Sequence, residues 1–250
     1  MTIPQLAGHT WNFQPRFNLE RDALSVLDGL RDAGCSCFEG FLDHAPLYRG
    51  HLEERGLRMV ACHAVTPVLH DIRSVVARAN SAQVKDLCVS GLLDWWQRSP
   101  NDYRAAARLL NSAGSSLRGE GIWLHYHNHE FEFERQNIAL SGMEVLAGAL
   151  DFDVVSLCLD VGWAQRGGAH PVELLQKYQR QIGWVHLRDF QDEHSVELGQ
   201  GEVDLLSIAA LLPTLANLRG LAIEQDAPTD PVQSLYQSLR FWHEIIQQKN

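Results

Sequence analysis

The sequence predicts an α/β protein: a single (β/α)8 barrel domain spanning residues 1–250. Three observations carry the prediction. Short apolar runs alternate with helical patterns through eight repeats, which implies parallel strand pairing. A chain of 250 residues suits eight such units closed into one barrel. Finally, three strand-like segments in the second half each carry a metal-ligand residue type near the C-terminal end. They read SLCLDVGW (156–163), IGWVHLRDF (182–190) and LRGLAIEQD (218–226), with Asp160, His186 and Glu224 on the parity opposite to the apolar set. A carboxylate, an imidazole and a second carboxylate would then point away from the helix-covered face, at the mouth where such barrels build their sites.

The elements follow in order. The first strand is expected at LAGHTWNF (6–13), and Asn18 then starts a helix over 19–33. Gly34 hands over to CSCFEGF (35–41), and a helix over 43–56 leads through Gly56 to RMVACHAV (58–65). A helix over 70–81, the strand VKDLCVSGL (84–92), a helix over 101–119 and, after Gly121, the strand GIWLHYHNH (121–129) complete the first half. Helices over 141–150, 170–180, 204–216 and 230–248 separate and follow the three ligand-bearing strands. Pro171 and Asp230-Pro231 mark two of their starts. No GxGxxG or GxxxxGK[ST] is present, so the nucleotide-binding sheet folds lose their best support.

Composition narrows the function classes. The residues are 45% hydrophobic and 21% charged, as in a globular protein with a sizeable core. The formal net charge of -10 argues against a partner that is read through its phosphates, so no nucleic acid is expected. Five cysteines (Cys35, Cys37, Cys62, Cys88 and Cys158) show no CxxC and lie in apolar runs, as buried reduced thiols do. Together with an N-terminus lacking a basic start and no apolar stretch approaching membrane-spanning length, this predicts a cytoplasmic protein with no membrane partner.

YHNHEFEFE (126–134), LDVGWAQRGGAHPVELLQKY (159–178), VHLRDF (185–190), GQGEVDL (199–205) and AIEQD (222–226) resemble the sugar phosphate isomerase/epimerase family of the xylose-isomerase-like TIM barrel superfamily. Five motifs in order over 121–226 carry the resemblance; the first 120 residues match loosely. It implies one divalent cation, Mn, Mg, Co or Zn, and a small carbohydrate-like substrate. The oligomeric state, including a homo-oligomer, stays open. The superfamily holds ketose epimerases, isomerases, and inosose and dehydroshikimate dehydratases.

For the metal, Asp160, His186 and Glu224 are the expected ligands, set against the plain alternatives of a helix cap, an interior histidine and a paired glutamate. The resemblance implies a fourth ligand 33 residues before the aspartate, where related epimerases carry glutamate and this chain has His127. Alternation in HNHEFEF favours Glu132, with Phe131 and Phe133 as apolar anchors; His127 is held in reserve. Glu39, His63, His127 and His129 are expected to bind substrate, and so is Arg188, with a structural salt bridge as its equal alternative; Trp95 and Trp96 sit where they could cap the site, plain packing being the commoner role. The remaining histidines, His44, His51, His70 and His243 among them, are expected at the surface.

A metal held by oxygen and nitrogen ligands would polarise an α-hydroxy carbonyl, with Glu224 and either Glu132 or a strand-five histidine moving the proton. The resulting enediolate leads to epimerisation, isomerisation or, by loss of a β-hydroxyl, dehydration. Two other classes are weighed: a metal-dependent endonuclease, disfavoured by the net charge, and a barrel that only binds a sugar.

Overall fold

The computed structural model describes residues 3–134 and 140–247. Seven parallel strands pair in order around a ring: β1 (Leu6–His9), β2 (Cys37–Phe41), β3 (Arg58–Val65), β4 (Asp86–Ser90), β5 (Trp123–His127), β6 (Val155–Asp160) and β7 (Ile182–Leu187). An antiparallel hairpin, β8 (Asp189–Gln191) with β9 (His194–Val196), intervenes before the last barrel strand, β10 (Gly220–Ile223). In β10, Leu221 lies opposite both Val185 and Leu6, which closes the barrel. The expected eight-stranded barrel is therefore the observed architecture.

The outer layer comprises α1 (Ala23–Asp32), α2 (Ala45–Tyr48), α3 (Ile72–Ala82), α4 (Pro100–Gly119), α5 (Gly142–Ala147), α6 (Val161–Arg166), α7 (Pro171–Lys177), α8 (Leu205–Leu211) and α9 (Pro231–Gln247). Residue 248, expected to end the last helix, lies outside the described residues. The longest helix shows why these segments fold. Ser99 and Asp102 form a reciprocal capping box with Pro100 in the first turn, an arrangement whose cap alone stabilises a helix by about 1 kcal/mol. Its buried face, including Tyr103, Leu110 and Leu117, recurs at helical spacing. At Gly114 a Cβ would stand 2.7 Å from the Val154 carbonyl oxygen, so only glycine lets α4 approach β6 this closely.

Four features differ from the sequence expectation. The first strand, expected over 6–13, ends at His9, where a 3-10 turn at Thr10–Phe13 takes over. The helix expected over 43–56 shortens to one turn, because Gly50 takes a left-handed φ of 89° and a separate 3-10 turn follows at Glu53–Arg55. α6 begins directly after β6, ahead of the helix expected over 170–180. The hairpin β8–β9 turns at Asp192, whose φ is 53°.

Period-two alternation divides the strand side chains between two compartments. Outward residues such as Phe38, Val89, Leu124, Leu159 and Leu187 join the helices in one continuous core. The middle of the barrel is filled by small side chains, Ala7, Ala61, Ala222, Cys37, Cys88 and Cys158, around the larger Trp184. All five cysteines are buried and free, as expected. The N-terminal end is plugged by Asp86, which accepts from His125 Nε2 at 3.0 Å and from Arg219 Nη2 at 3.1 Å, with Arg219 over the Trp123 ring. Burial would raise the Asp86 carboxyl, but these partners hold it below its ordinary value. No described helix is long and apolar enough to cross a membrane.

Candidate metal centre

The C-terminal ends of β5, β6, β7 and β10 bring His127, Asp160, His186 and Glu224 together. All four are buried, and one ligand atom from each lies within 4.8 Å of the others. An ion bound at about 2.0–2.2 Å from each donor fits that spacing. Alternation accounts for the convergence, since each residue closes the inward parity of its strand while its neighbours Leu159, Val185, Leu187 and Ile223 face the helices.

Local bonds fix each donor. Asp160 caps α6, its Oδ1 accepting the Trp163 N–H at 2.8 Å while Oδ2 accepts from Arg188 Nε at 3.0 Å. Reciprocal bonds to Asn128 tie its backbone to the end of β5. His186 places Nδ1 2.6 Å from Glu224 Oε2 and Nε2 2.9 Å from Glu39 Oε2. His127 turns Nδ1 towards the Cys158 sulfur at 3.8 Å. At Gly162 a Cβ would meet Arg188 side-chain atoms at 2.8 Å, so the first turn of α6 needs glycine to lie against the arginine.

Burial and partners set the charges. Burial raises the Asp160 carboxyl to about 6 despite Arg188 beside it. Burial would also raise Glu224, but Arg188, His9 and His186 outweigh it and hold the carboxyl well below its ordinary value. His127 is pushed well below the usual imidazole range, first by burial and then by the nearby His186, so it is neutral and keeps a lone pair. For His186, burial is outweighed by Cys158, Glu39 and Glu224, which hold it well above the usual range.

Glu132 does not turn inward, which corrects the expectation. It lies in a 3-10 turn after β5, where the extended alternation used to aim it no longer applies. Its carboxyl is fully buried, accepting from the Tyr126 hydroxyl at 2.6 Å and the His129 N–H at 2.7 Å. Tyr126 faces the helices, so Glu132 is sealed behind the barrel wall, apart from the four-residue group that contains His127. The fourth donor present is therefore His127, the reserve expectation, and Glu132 is removed from both the metal and the proton-transfer assignments.

Glu39 and His63 sit beside the centre. Glu39 is fully buried and links His186 to His63, whose Nδ1 lies at 3.2 Å and whose Nε2 reaches Ser90 at 3.1 Å. Burial alone would raise Glu39, but His186, His63 and His9 hold it below the carboxylate range. His9 was missed in the sequence. Its signal was available, because it ends the first strand on the parity of Ala7. His9, Glu39 and His63 also bring ligand-type atoms within 4.8 Å. His9 Nδ1, however, accepts the Trp11 N–H at 2.9 Å, so Nε2 carries the proton and points it at Glu39 Oε1, 3.6 Å away. A protonated nitrogen has no lone pair for a metal, and at 3.6 Å it faces the carboxylate without a hydrogen bond.

The site opens into a cavity of about 360 Å³ lined by Trp11, Trp95, Trp163, Phe131, His129 and Arg188, with Arg98, Glu130, Glu224 and Asp226. His129 stacks on Phe131, and burial first of all lowers its imidazole to about 3. Arg188 lines the cavity and also forms salt bridges with Asp160, Glu224 and Asp226, the last at 2.7 Å. Trp95 packs against His129 at the mouth, whereas Trp96 points to solvent at 81% exposure. His70 and His243 are exposed, and His44 and His51 are half-buried.

The profile of the xylose isomerase-like TIM barrel family matches residues 29–245. An inosose dehydratase of Clostridium botulinum is 29% identical over 92 residues, 37% of this chain and 30% of that protein; the match thus spans about a third of the relative's length. Among solved structures, a sugar phosphate isomerase/epimerase of Parabacteroides distasonis superposes with a TM-score of 0.80 at 19% identity, covering 96% of this chain and 94% of that one. The IolI protein, with a binding zinc atom, superposes with a TM-score of 0.73 at 14% identity, covering 98% of each chain. At these identities the superpositions speak for the fold.

Proposed function

The chain belongs to the xylose isomerase-like TIM barrel family, and from that premise we propose that it is a divalent-metal-dependent isomerase or epimerase of a sugar, sugar phosphate or related hydroxy-keto compound. The observation that carries the proposal is the convergence of His127, Asp160, His186 and Glu224, the last of which lines an aromatic-walled cavity. These residues would hold the ion. When bound, the metal supplies a Lewis acid that makes the C–H next to a carbonyl more acidic.

The residues provide the rest of the chemistry. Glu224 lines the cavity with a carboxylate kept ionised by Arg188, so it takes the proton from the activated carbon. Arg188 orients Asp160 and Glu224 through separate nitrogens. His129, two residues beyond β5 on another part of the cavity wall, would be the histidine that exchanges a proton with the substrate. Trp11, Trp95 and Trp163 give ring faces against which a sugar's C–H surface packs, and they limit water at the reacting carbon.

The test is hydrogen exchange in heavy water, using metal-loaded protein and a panel of ketoses, ketose phosphates and hydroxy-keto acids followed by NMR. A true substrate exchanges its activated hydrogen, and Glu224→Gln slows that exchange about a hundredfold or more. Metal content is measured on the same sample, because Glu224 is also a ligand in this reading. Unchanged exchange in a metal-replete variant would remove Glu224 as the base. The match to inosose dehydratase favours one second reading, a dehydratase acting through the same proton abstraction. The same spectra separate the two, since dehydration removes a β-hydroxyl and leaves an unsaturated product.

A further inference from the structure

The four donors of the candidate centre are two carboxylates and two imidazoles, and their surroundings treat the two kinds differently. Both Asp160 oxygens are engaged, Oδ1 by the Trp163 N–H and Oδ2 by Arg188 Nε. Glu224 shares Oε1 with Arg188 Nη2 at 3.1 Å. An oxygen already bonded to a guanidinium gives less charge to an ion, and neither carboxylate is left free to chelate through both oxygens. Hard ions that depend on oxygen-rich coordination are disfavoured by such a set.

The imidazoles are arranged the other way. With Glu39 Oε2 as acceptor at 2.9 Å, His186 Nε2 carries a proton and Nδ1, beside Glu224, becomes the ligand nitrogen. With the Cys158 sulfur as acceptor at 3.8 Å, His127 Nδ1 carries a proton and Nε2 keeps its lone pair. Binding the far nitrogen of a ligand histidine in this way fixes its tautomer and orientation. Imidazole donors suit zinc and its neighbours, whereas carboxylate and water suit magnesium and manganese.

We propose that this centre selects a nitrogen-seeking ion of the zinc and cobalt class over manganese and magnesium, and that His127, oriented by Cys158, sets the preference. Cys158 is a positioning residue here, because it acts through the imidazole. The proposal rests on the reading of the four residues as a metal centre.

Full-length protein stripped by chelation is titrated with zinc, cobalt, manganese and magnesium, singly and in competition. Bound metal is read by mass spectrometry, affinity by competition with a chromophoric chelator, and folding by circular dichroism. The wild type takes one zinc or cobalt per chain and holds it against excess manganese. His127→Glu lowers the zinc-to-manganese affinity ratio about tenfold or more, Cys158→Ala weakens zinc about tenfold, and Cys158→Ser, which keeps an acceptor, recovers part of the loss. Manganese or magnesium displacing zinc from the wild type overturns the proposal whether or not the variants fold. So does an unchanged ratio in folded His127→Glu. Zinc lost from Cys158→Ala but untouched by His127→Glu would put the ion on sulfur and also overturn it. A wild type that binds none of the four ions defeats the metal-centre reading itself, which is a separate result.

Discussion

Glu132 shows how far one side chain can depart from the pattern of its neighbours. Phe131 and Phe133 suggest an inward glutamate between them, yet a 3-10 turn sends its carboxyl to Tyr126 behind the strand. Burial there raises it to about 8, against the opposing effect of the Tyr126 and His129 donors and an ordinary value of 4.5. The fold therefore favours the neutral acid. Its contribution to stability is fully present below pH 4.5 and is lost as pH rises through about 8, because the folded value is the raised one. Urea denaturation midpoints should fall from about pH 5 to about pH 9 in the wild type, and Glu132→Gln should remove much of that fall. Equal pH dependence in the two proteins would show that this carboxyl does not titrate in that window. Asp160, His186 and Glu224, by contrast, were legible from sequence, because regular strands carry a strict period of two to their last residue. His9 obeyed the same rule and was readable, but its strand ends in a 3-10 turn that the apolar run TWNF disguised as more strand.

At the scale of elements, the eight strands were legible because each is a short apolar run between turn residues. The added pieces were not. Both α6 and the hairpin depend on side chains that satisfy backbone groups, a role composition does not reveal. Asp160 caps the first. Asp189, immediately after Arg188, organises the second: its carboxylate accepts the N–H groups of Phe190, Gly199, Gly201 and Val203, each at 2.9–3.0 Å. Burial nevertheless raises this carboxyl above its ordinary value. Asp189→Ala leaves those donors without their acceptor and should destabilise the protein by about 2–3 kcal/mol. Hydrogen exchange should quicken at Gly199, Gly201 and Val203 more than in the barrel strands. Uniform quickening across the barrel would instead make Asp189 part of the global core.

The whole molecule separates stability from chemistry along the barrel axis. Ligand-type residues crowd the C-terminal mouth, small side chains fill the middle, and Asp86 with His125 and Arg219 closes the opposite end. Arg219 joins the entrance of β10 to β4 on the opposite side of the ring. Since the Arg219 side chain is 30% exposed, Arg219→Ala should cost about 1–3 kcal/mol, less than the loss of a fully buried pair. Denaturation should register that loss while the metal affinity of the folded protein stays at the wild-type value. A matching loss of affinity would show that the two ends are mechanically linked. The aromatic rim adds an optical property to this division. Trp11, Trp95 and Trp163 line the cavity and account for three of the seven tryptophans in the chain. Trp163 lies under the Arg188 guanidinium, 4.8 Å from the ring centre, and Trp95 meets the His129 ring edge-on at 4.9 Å. Their ultraviolet emission depends on the charge and solvent beside those indoles, so a compound that enters the cavity reports its own arrival without an attached dye.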